Sequence, residues 1–272
     1  MLLKNKVIII SGIGPGLGIE LALCAAREGA RALVLAARTA SKLAAASKQI
    51  KALGLGTETL EVVTDISKNE DCENLATQAF NTFGRIDGLV NSAYIPGSFG
   101  NWEKWKFEDW RKTMDVNLFG SLQLSRAVAK YMKQQNASSA SKDLGGAIVM
   151  VNSMVTKRVI GNQAGYATSK GALTVASKAL ASELAPLKIR VNSCYMGWMW
   201  GASVKTYCDM AAPAMNCQPE DIKKGLEKNI PLGEMPTDAE CAPACIFLLS
   251  DYAKVITGAQ LDVNGGEYMP LG

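Results

Sequence analysis

The stretch Lys6-Val7-Ile8-Ile9-Ile10-Ser11-Gly12-Ile13-Gly14-Pro15-Gly16-Leu17-Gly18-Ile19-Glu20-Leu21-Ala22-Leu23-Cys24-Ala25-Ala26-Arg27 decides the fold. It opens with a short β-branched apolar run and closes with an Ala- and Leu-rich segment of helical apolar rhythm. Glycines between them let backbone approach a ligand closely, and the helix they open offers N–H groups and a positive dipole end suited to a pyrophosphate. The spacing is Gly-x-x-x-Gly-x-Gly at 12, 16 and 18 rather than Gly-x-Gly-x-x-Gly, and a glycine turn can also do no more than join a strand to a helix.

Outward from this stretch, strand-like runs at 7–11, 32–37, 61–64, 87–91, 147–153, 189–194 and 260–263 alternate with helical segments. This alternation predicts an α/β chain with a doubly wound parallel seven-stranded sheet and helices on both faces. With 272 residues, 48% of them apolar, the chain can form one domain spanning 1–272, and no linker-like run divides it. The run Asn136-Ala137-Ser138-Ser139-Ala140-Ser141-Lys142 reads as a surface loop.

No apolar run approaches the ~20 residues needed to span a bilayer. The first strand begins too close to Met1 for a signal peptide, and seven cysteines, an odd number, read as free thiols, so a cytoplasmic location is expected. Cys241 and Cys245 share a helical spacing, but with too few companion ligands they read as core residues, and no metal is expected. A net charge of +4 without a basic run or aromatic stripe argues against nucleic acid and leaves small-molecule binding.

The chain contains no histidine, which excludes a Ser-His-Asp triad, a histidine general base and any His-bearing zinc site. Tyr166 and Lys170, four apart in Gly165-Tyr166-Ala167-Thr168-Ser169-Lys170, supply another acid–base pair. On a helix they share one face, and a nearby ammonium lowers a phenol from its ordinary pKa of about 10. The same spacing also occurs between ordinary helix neighbours.

Ser153, Tyr166 and Lys170, with the glycine turn, Asp65 after Val62-Val63-Thr64, Asn91-Ser92-Ala93 after Gly88-Leu89-Val90, Asn117, Arg190-Val191-Asn192-Ser193 and Asp262-Val263-Asn264-Gly265-Gly266, give the whole chain its character. In these elements and their order it resembles the short-chain dehydrogenase/reductase family, in its common single-domain branch. The resemblance implies a Rossmann-type fold and hydride transfer between a nicotinamide and a carbonyl or alcohol carbon. It implies that Tyr166 passes the proton, Ser153 binds the same oxygen, Lys170 holds the nicotinamide ribose, and Asn117 supports a water in the proton relay. Cofactor-binding positions by the same resemblance are Ser11, Gly12, Gly14, Gly16, Leu17 and Gly18, then Arg38 and Thr39, Asp65 and Ile66, Asn91, Ser92 and Ala93, Tyr166 and Lys170, and Gly197 and Met199. Asp65 would accept from the adenine amino group. Two departures stand out: Met196 precedes Gly197 where the family has proline, and Tyr94 replaces a glycine after Ala93.

About 20 positions after the glycines an acidic residue would select NAD. Ala37 stands there instead and Arg38 follows, whose guanidinium can pair with a phosphate dianion, with Ser11, Thr39 and Lys42 as further donors; NADP is therefore the expected cofactor. Substrate contacts are expected from Tyr94, Met154, Met196, Trp198, Trp200 and Tyr207, with 196–236 as a lid over a bulky apolar ketone or alcohol. Packing of a subunit interface or of the lid's underside is the other reading of these side chains. Imine reduction, a non-redox dehydration or isomerisation, and a non-catalytic dinucleotide sensor are the alternative functions. The resemblance also implies a homo-oligomer, a dimer or homotetramer, assembled through helices around 118–133 and 164–184.

Overall fold

In the computed structural model, which describes residues 1–138 and 145–269, the opening apolar run is strand β1 (Val7–Ser11), buried at every position. Its side chains alternate between two cores. Ile8 and Ile10 pack with helices α1 (Leu17–Arg27), α2 (Ala40–Ala52) and α9 (Asp238–Leu249), and Val7 and Ile9 with α3 (Asn69–Phe83), α5 (Ser121–Ser138) and α6 (Ala164–Leu184). A strand covered on both faces needs a continuous apolar run, which explains the unbroken Val-Ile-Ile-Ile.

The remaining strands are β2 (Ala32–Ala37), β3 (Glu58–Val63), β4 (Gly88–Asn91), β5 (Gly146–Ser153), β6 (Ile189–Met196) and β7 (Gln260–Val263). All pair in parallel in the order β3-β2-β1-β4-β5-β6-β7. The expected doubly wound, seven-stranded single domain is therefore the observed fold. Strand β3 starts at Glu58, earlier than expected, because an edge strand half open to solvent carries little apolar signal. The expected surface loop over 136–142 is corrected at its start, where α5 continues to Ser138; residues 139–142 lie outside the described residues.

Helix α4 (Phe107–Met114) runs into α5 through one widened π turn, Asp115–Gly120, and that turn carries Asn117. Between β6 and α9 the chain makes an excursion through α7 (Ala202–Met215) and α8 (Pro219–Glu227), which pack on each other around Cys208, Ala212 and Ile222. Among the described residues no helix is long and apolar enough to cross a membrane. Cys241 and Cys245 are buried in the α1/α9 core, where burial, the larger cause, and the neighbouring Asp238 push the Cys241 thiol up to about 12.

Candidate active site

The C-terminal ends of parallel strands lie along one edge, and where strand order reverses, here between β1 and β4, the following loops diverge and leave a crevice. One wall is the glycine turn. Gly12 has φ +85°, and a Cβ there would stand 2.5 Å from the Ala93 nitrogen; a Cβ on Gly18 would stand 2.2 Å from the Gly12 oxygen. Only glycine lets the turn close onto the β4 loop and bring the start of α1, with its N–H groups, to the crevice. Among the described residues, the Lys42 side chain lies above Gly14, 3.7 Å from where a Cβ would be. This open, N–H-rich, cation-flanked cradle fits the diphosphate of a dinucleotide.

At the end of β2, Arg38 and Thr39 are exposed, and Thr39 precedes α2. Asp65, past the end of β3, accepts from the Ser67 amide (3.1 Å) and hydroxyl (2.7 Å). Burial raises this carboxyl, but those bonds and the Arg38 charge outweigh burial and hold it below the ordinary carboxylate range. Arg38 and Asp65 therefore flank the same end of the crevice. Two expected cofactor contacts are corrected. Ser11 is fully buried and its hydroxyl donates to the Val90 carbonyl at 3.4 Å, so it offers a phosphate nothing. The Ile66 side chain is in the core, tight against Gly120. Asn91 is also buried, its amide donating to Ser125 Oγ (2.9 Å) and Met150 Sδ (3.3 Å), and Ser92 is buried beside it.

The opposite wall carries the reactive groups. Ser153 ends β5; its hydroxyl accepts from Val155 N at 3.3 Å, capping the following turn, and lies beside the Tyr166 phenol. Lys170, one helical turn beyond Tyr166, is 3% exposed and donates to the Val151 carbonyl at 2.8 Å, with Nζ 6.0 Å from the centre of the Tyr166 ring. Ser153, Tyr166 and Lys170 are thus brought together as expected. The expected acidification of the phenol by lysine is corrected. Burial, with the neighbouring Tyr94, pushes Tyr166 above its ordinary value, and only the Ser153 hydroxyl opposes this. Burial likewise lowers Lys170 to about 8. The ammonium is committed to a carbonyl rather than to the phenol oxygen.

Asn117 is fully buried and uses both ends of its amide: Oδ1 accepts from Ile95 N (2.8 Å), and Nδ2 donates to Ile95 O (3.0 Å) and Ser169 Oγ (3.0 Å). It ties the loop after β4 to α6 beside Tyr166. Its own carbonyl oxygen accepts from Ser121 Oγ at 3.2 Å.

Of the expected substrate contacts, Tyr94 lies beside the reactive groups: its ring centre is 6.1 Å from that of Tyr166 and 5.9 Å from Lys170 Nζ, and its hydroxyl lies 3.3 Å from Ser203 Oγ on α7. Trp198 stacks on Tyr207 at 5.8 Å on the approach to α7. Met154 packs beneath Gly197, where a Cβ would meet its sulfur at 3.5 Å and Asn264 Cβ at 2.7 Å. Met196 and Trp200 are corrected. The Met196 side chain points into the α1/α9 core, while Trp200 packs on the α7/α8 cluster with Lys205 and Lys223 over its ring. Met199 is partly buried against the α1/α9 core. Sequence reasoning missed Ser203 and Asp238, the latter with its carboxylate against Gly16 and Gly201. Thr237-Asp238-Ala239-Glu240 is a capping-box pattern that marks the start of α9, but nothing local shows what that start touches.

A doubly wound parallel sheet with a glycine cradle at its switch point and a Ser–Tyr–Lys cluster across the crevice, its lysine buried, defines a dinucleotide-dependent oxidoreductase. The family model described as enoyl-(acyl carrier protein) reductase matches residues 12–267. The chain is 34% identical to the human 3-oxoacyl-(acyl-carrier-protein) reductase, covering 96% of this chain and 98% of that one. It is 30% identical to levodione reductase from Leifsonia aquatica, over 97% and 94% of the two chains. L-sorbose reductase from Gluconobacter frateurii, solved with NADPH and L-sorbose, superposes with a TM-score of 0.90 at 26% identity, over 100% of this chain and 99% of that one. The chain belongs to the short-chain dehydrogenase/reductase family, and is an oxidoreductase of the CH–OH/C=O class that uses a nicotinamide dinucleotide.

Proposed function

We propose that this protein is an NADP(H)-dependent ketone reductase or secondary alcohol dehydrogenase acting on a bulky apolar substrate. The observation that carries this reading is the grouping of the half-buried Ser153 and Tyr166 with the buried Lys170 across the crevice from the glycine cradle, which a pure binder has no use for. The bound nicotinamide supplies or accepts the hydride. Tyr166 passes a proton to or from the substrate oxygen; a phenol raised above its ordinary value is protonated near neutral pH and ready to donate in the reductive direction. Ser153 donates a hydrogen bond to the same oxygen and stabilises the charge that develops on it. Lys170 holds the ribose hydroxyls of the cofactor and sets positive charge beside the phenol. Asn117 acts as a positioning residue, because its amide fixes Ile95, next to Tyr94, and Ser169 on α6.

Preference for NADP rests on Arg38, exposed at the ribose end with Ala37 where an acidic residue would stand. The NADPH bound to the sorbose reductase supports it. Comparing Michaelis constants for NADPH and NADH tests it, and equal values count against it. The substrate subsite is assigned to Tyr94, Trp198, Tyr207 and Met154, with 196–236 as the lid. A dimer or tetramer is proposed through α5 and α6.

Loss of NADPH absorbance with a panel of ketones, imines and small charged keto acids tests the activity. Turnover of bulky ketones, abolished by Tyr166→Phe (a loss on the order of 10²–10⁴-fold) with NADPH affinity kept, is the expected result. An active Tyr166→Phe variant removes the role of the phenol, turnover confined to charged keto acids removes the apolar substrate, and binding without turnover makes the protein a sensor.

A further inference from the structure

The turn that cradles the diphosphate touches a carboxylate from the far end of the chain. Asp238 is the first residue of α9, fixed there by the reciprocal Thr237–Glu240 cap. Its carboxylate lies close enough to the Leu17 N–H, at the opening of α1, for that donor to help hold its pKa down. It also fills the notch between the glycine turn and the excursion: a Cβ on Gly16 would lie 3.6 Å from Asp238 Oδ2, and one on Gly201 only 1.8 Å from it. Gly201 is the residue from which α7 starts. One side chain therefore joins α9, the glycine turn and the root of α7, and does so by placing an anion beside an N–H group of the α1 terminus.

We propose that Asp238 is a latch on the dinucleotide crevice. Its carboxylate occupies a helix-terminus N–H that a diphosphate needs, holds the root of α7 against the glycine turn, and yields that N–H when the dinucleotide binds. This rests on the reading of the glycine turn as the diphosphate site. A carboxylate next to a diphosphate is a like-charge contact, so binding must displace Asp238 or add a proton to it.

The groups around Asp238 decide the direction of its pH response. Burial raises its carboxyl, Glu20 on α1 raises it further, and Lys205 on α7 and the Leu17 N–H lower it, leaving it above the ordinary aspartate value. Lys42 from α2 reaches over Gly14 in the same turn. A diphosphate would hold the Asp238 proton more tightly still, so binding takes up protons and dinucleotide affinity rises as pH falls. Asp238→Asn keeps the shape and the acceptor but not the charge.

The test measures NAD affinity by tryptophan fluorescence for the wild type, Asp238→Asn and Asp238→Ala between about pH 5.5 and 8.5. NAD is chosen because it lacks the 2′-phosphate of NADP, whose own titration falls near pH 6. Removing one like charge at contact distance predicts about fivefold tighter binding by Asp238→Asn at pH 8 and loss of the wild-type pH slope. A second readout needs no cofactor: hydrogen exchange at Leu17 and residues 201–203 speeds up in Asp238→Ala, which has lost the latch. Equal affinity and equal pH slope in the wild type and Asp238→Asn overturn the latch. If the wild type itself binds neither NAD nor NADP, the diphosphate reading fails and the latch falls with it.

Discussion

Burying an ammonium costs free energy wherever it stays charged, and Lys170 bears that cost beside Tyr166. Its folded value of about 8 lies below the value of about 10.4 expected of an unfolded lysine. Below pH 8 both states are protonated and the folded state carries the full penalty, on the order of 3 kcal/mol. Between pH 8 and about 10.4 the unfolded chain binds the extra proton, so this contribution to stability improves as pH rises. Lys170→Met, with no charge to bury, should therefore be more stable than wild type at pH 7.5, with the gap shrinking by pH 10 in denaturant titrations. A constant gap would show that burial does not depress the Lys170 pKa in the folded protein. Loss of stability to this cluster accords with the chemistry proposed for it. Helix geometry made the Tyr166–Lys170 pair legible in the sequence, and the family resemblance added Ser153. That Lys170 would donate to Val151 and not to the phenol was not legible, because Val151 lies on strand β5, outside the helix that carries Lys170.

Among the elements, the turn between β1 and α1 shows how space rather than propensity dictates a residue. Gly18 would place a Cβ 2.2 Å from the Gly12 oxygen, whereas Gly225, exposed in α8, has nothing within 4 Å of that position. Gly225→Ala should stabilise by roughly 0.5–1 kcal/mol through helix propensity alone. Gly18→Ala, which forces backbone apart at a rigid turn, should cost about 1–3 kcal/mol and weaken dinucleotide binding. Thermal unfolding and NADPH titration read both, and a neutral Gly18→Ala would show that the turn relaxes freely. The glycines were visible in the sequence as a pattern, but which of them meets backbone depended on β4 arriving beside β1. The same dependence explains the corrected contacts. Ser11 and Ile66 sit next to proposed cofactor positions in the chain, yet core packing turns their side chains inward.

For the whole molecule, the proposed assembly has a visible candidate surface. Val175 is 70% exposed on α6, and Phe119 is half exposed at the lead into α5, on the two elements expected to meet a second copy. Val175→Glu should weaken association by about tenfold or more, since a charge in an apolar interface loses its water. Sedimentation velocity against the 29.0 kDa protomer measures this, and an unaltered profile would take Val175 out of the interface. At this scale the sequence by itself determined the layered parallel sheet, because strand and helix periodicity are local properties of a chain, and the family, because its motifs stand in order along the chain. Only the tertiary structure decided that Asn117 clamps Ile95 to Ser169, that Tyr94 reaches Ser203, that Met196 and Trp200 turn away from the crevice, and that Asp238 rests on the opening of α1. Each of these joins residues distant in sequence. Such contacts depend on how closely whole elements pack, and periodicity carries no information about that distance.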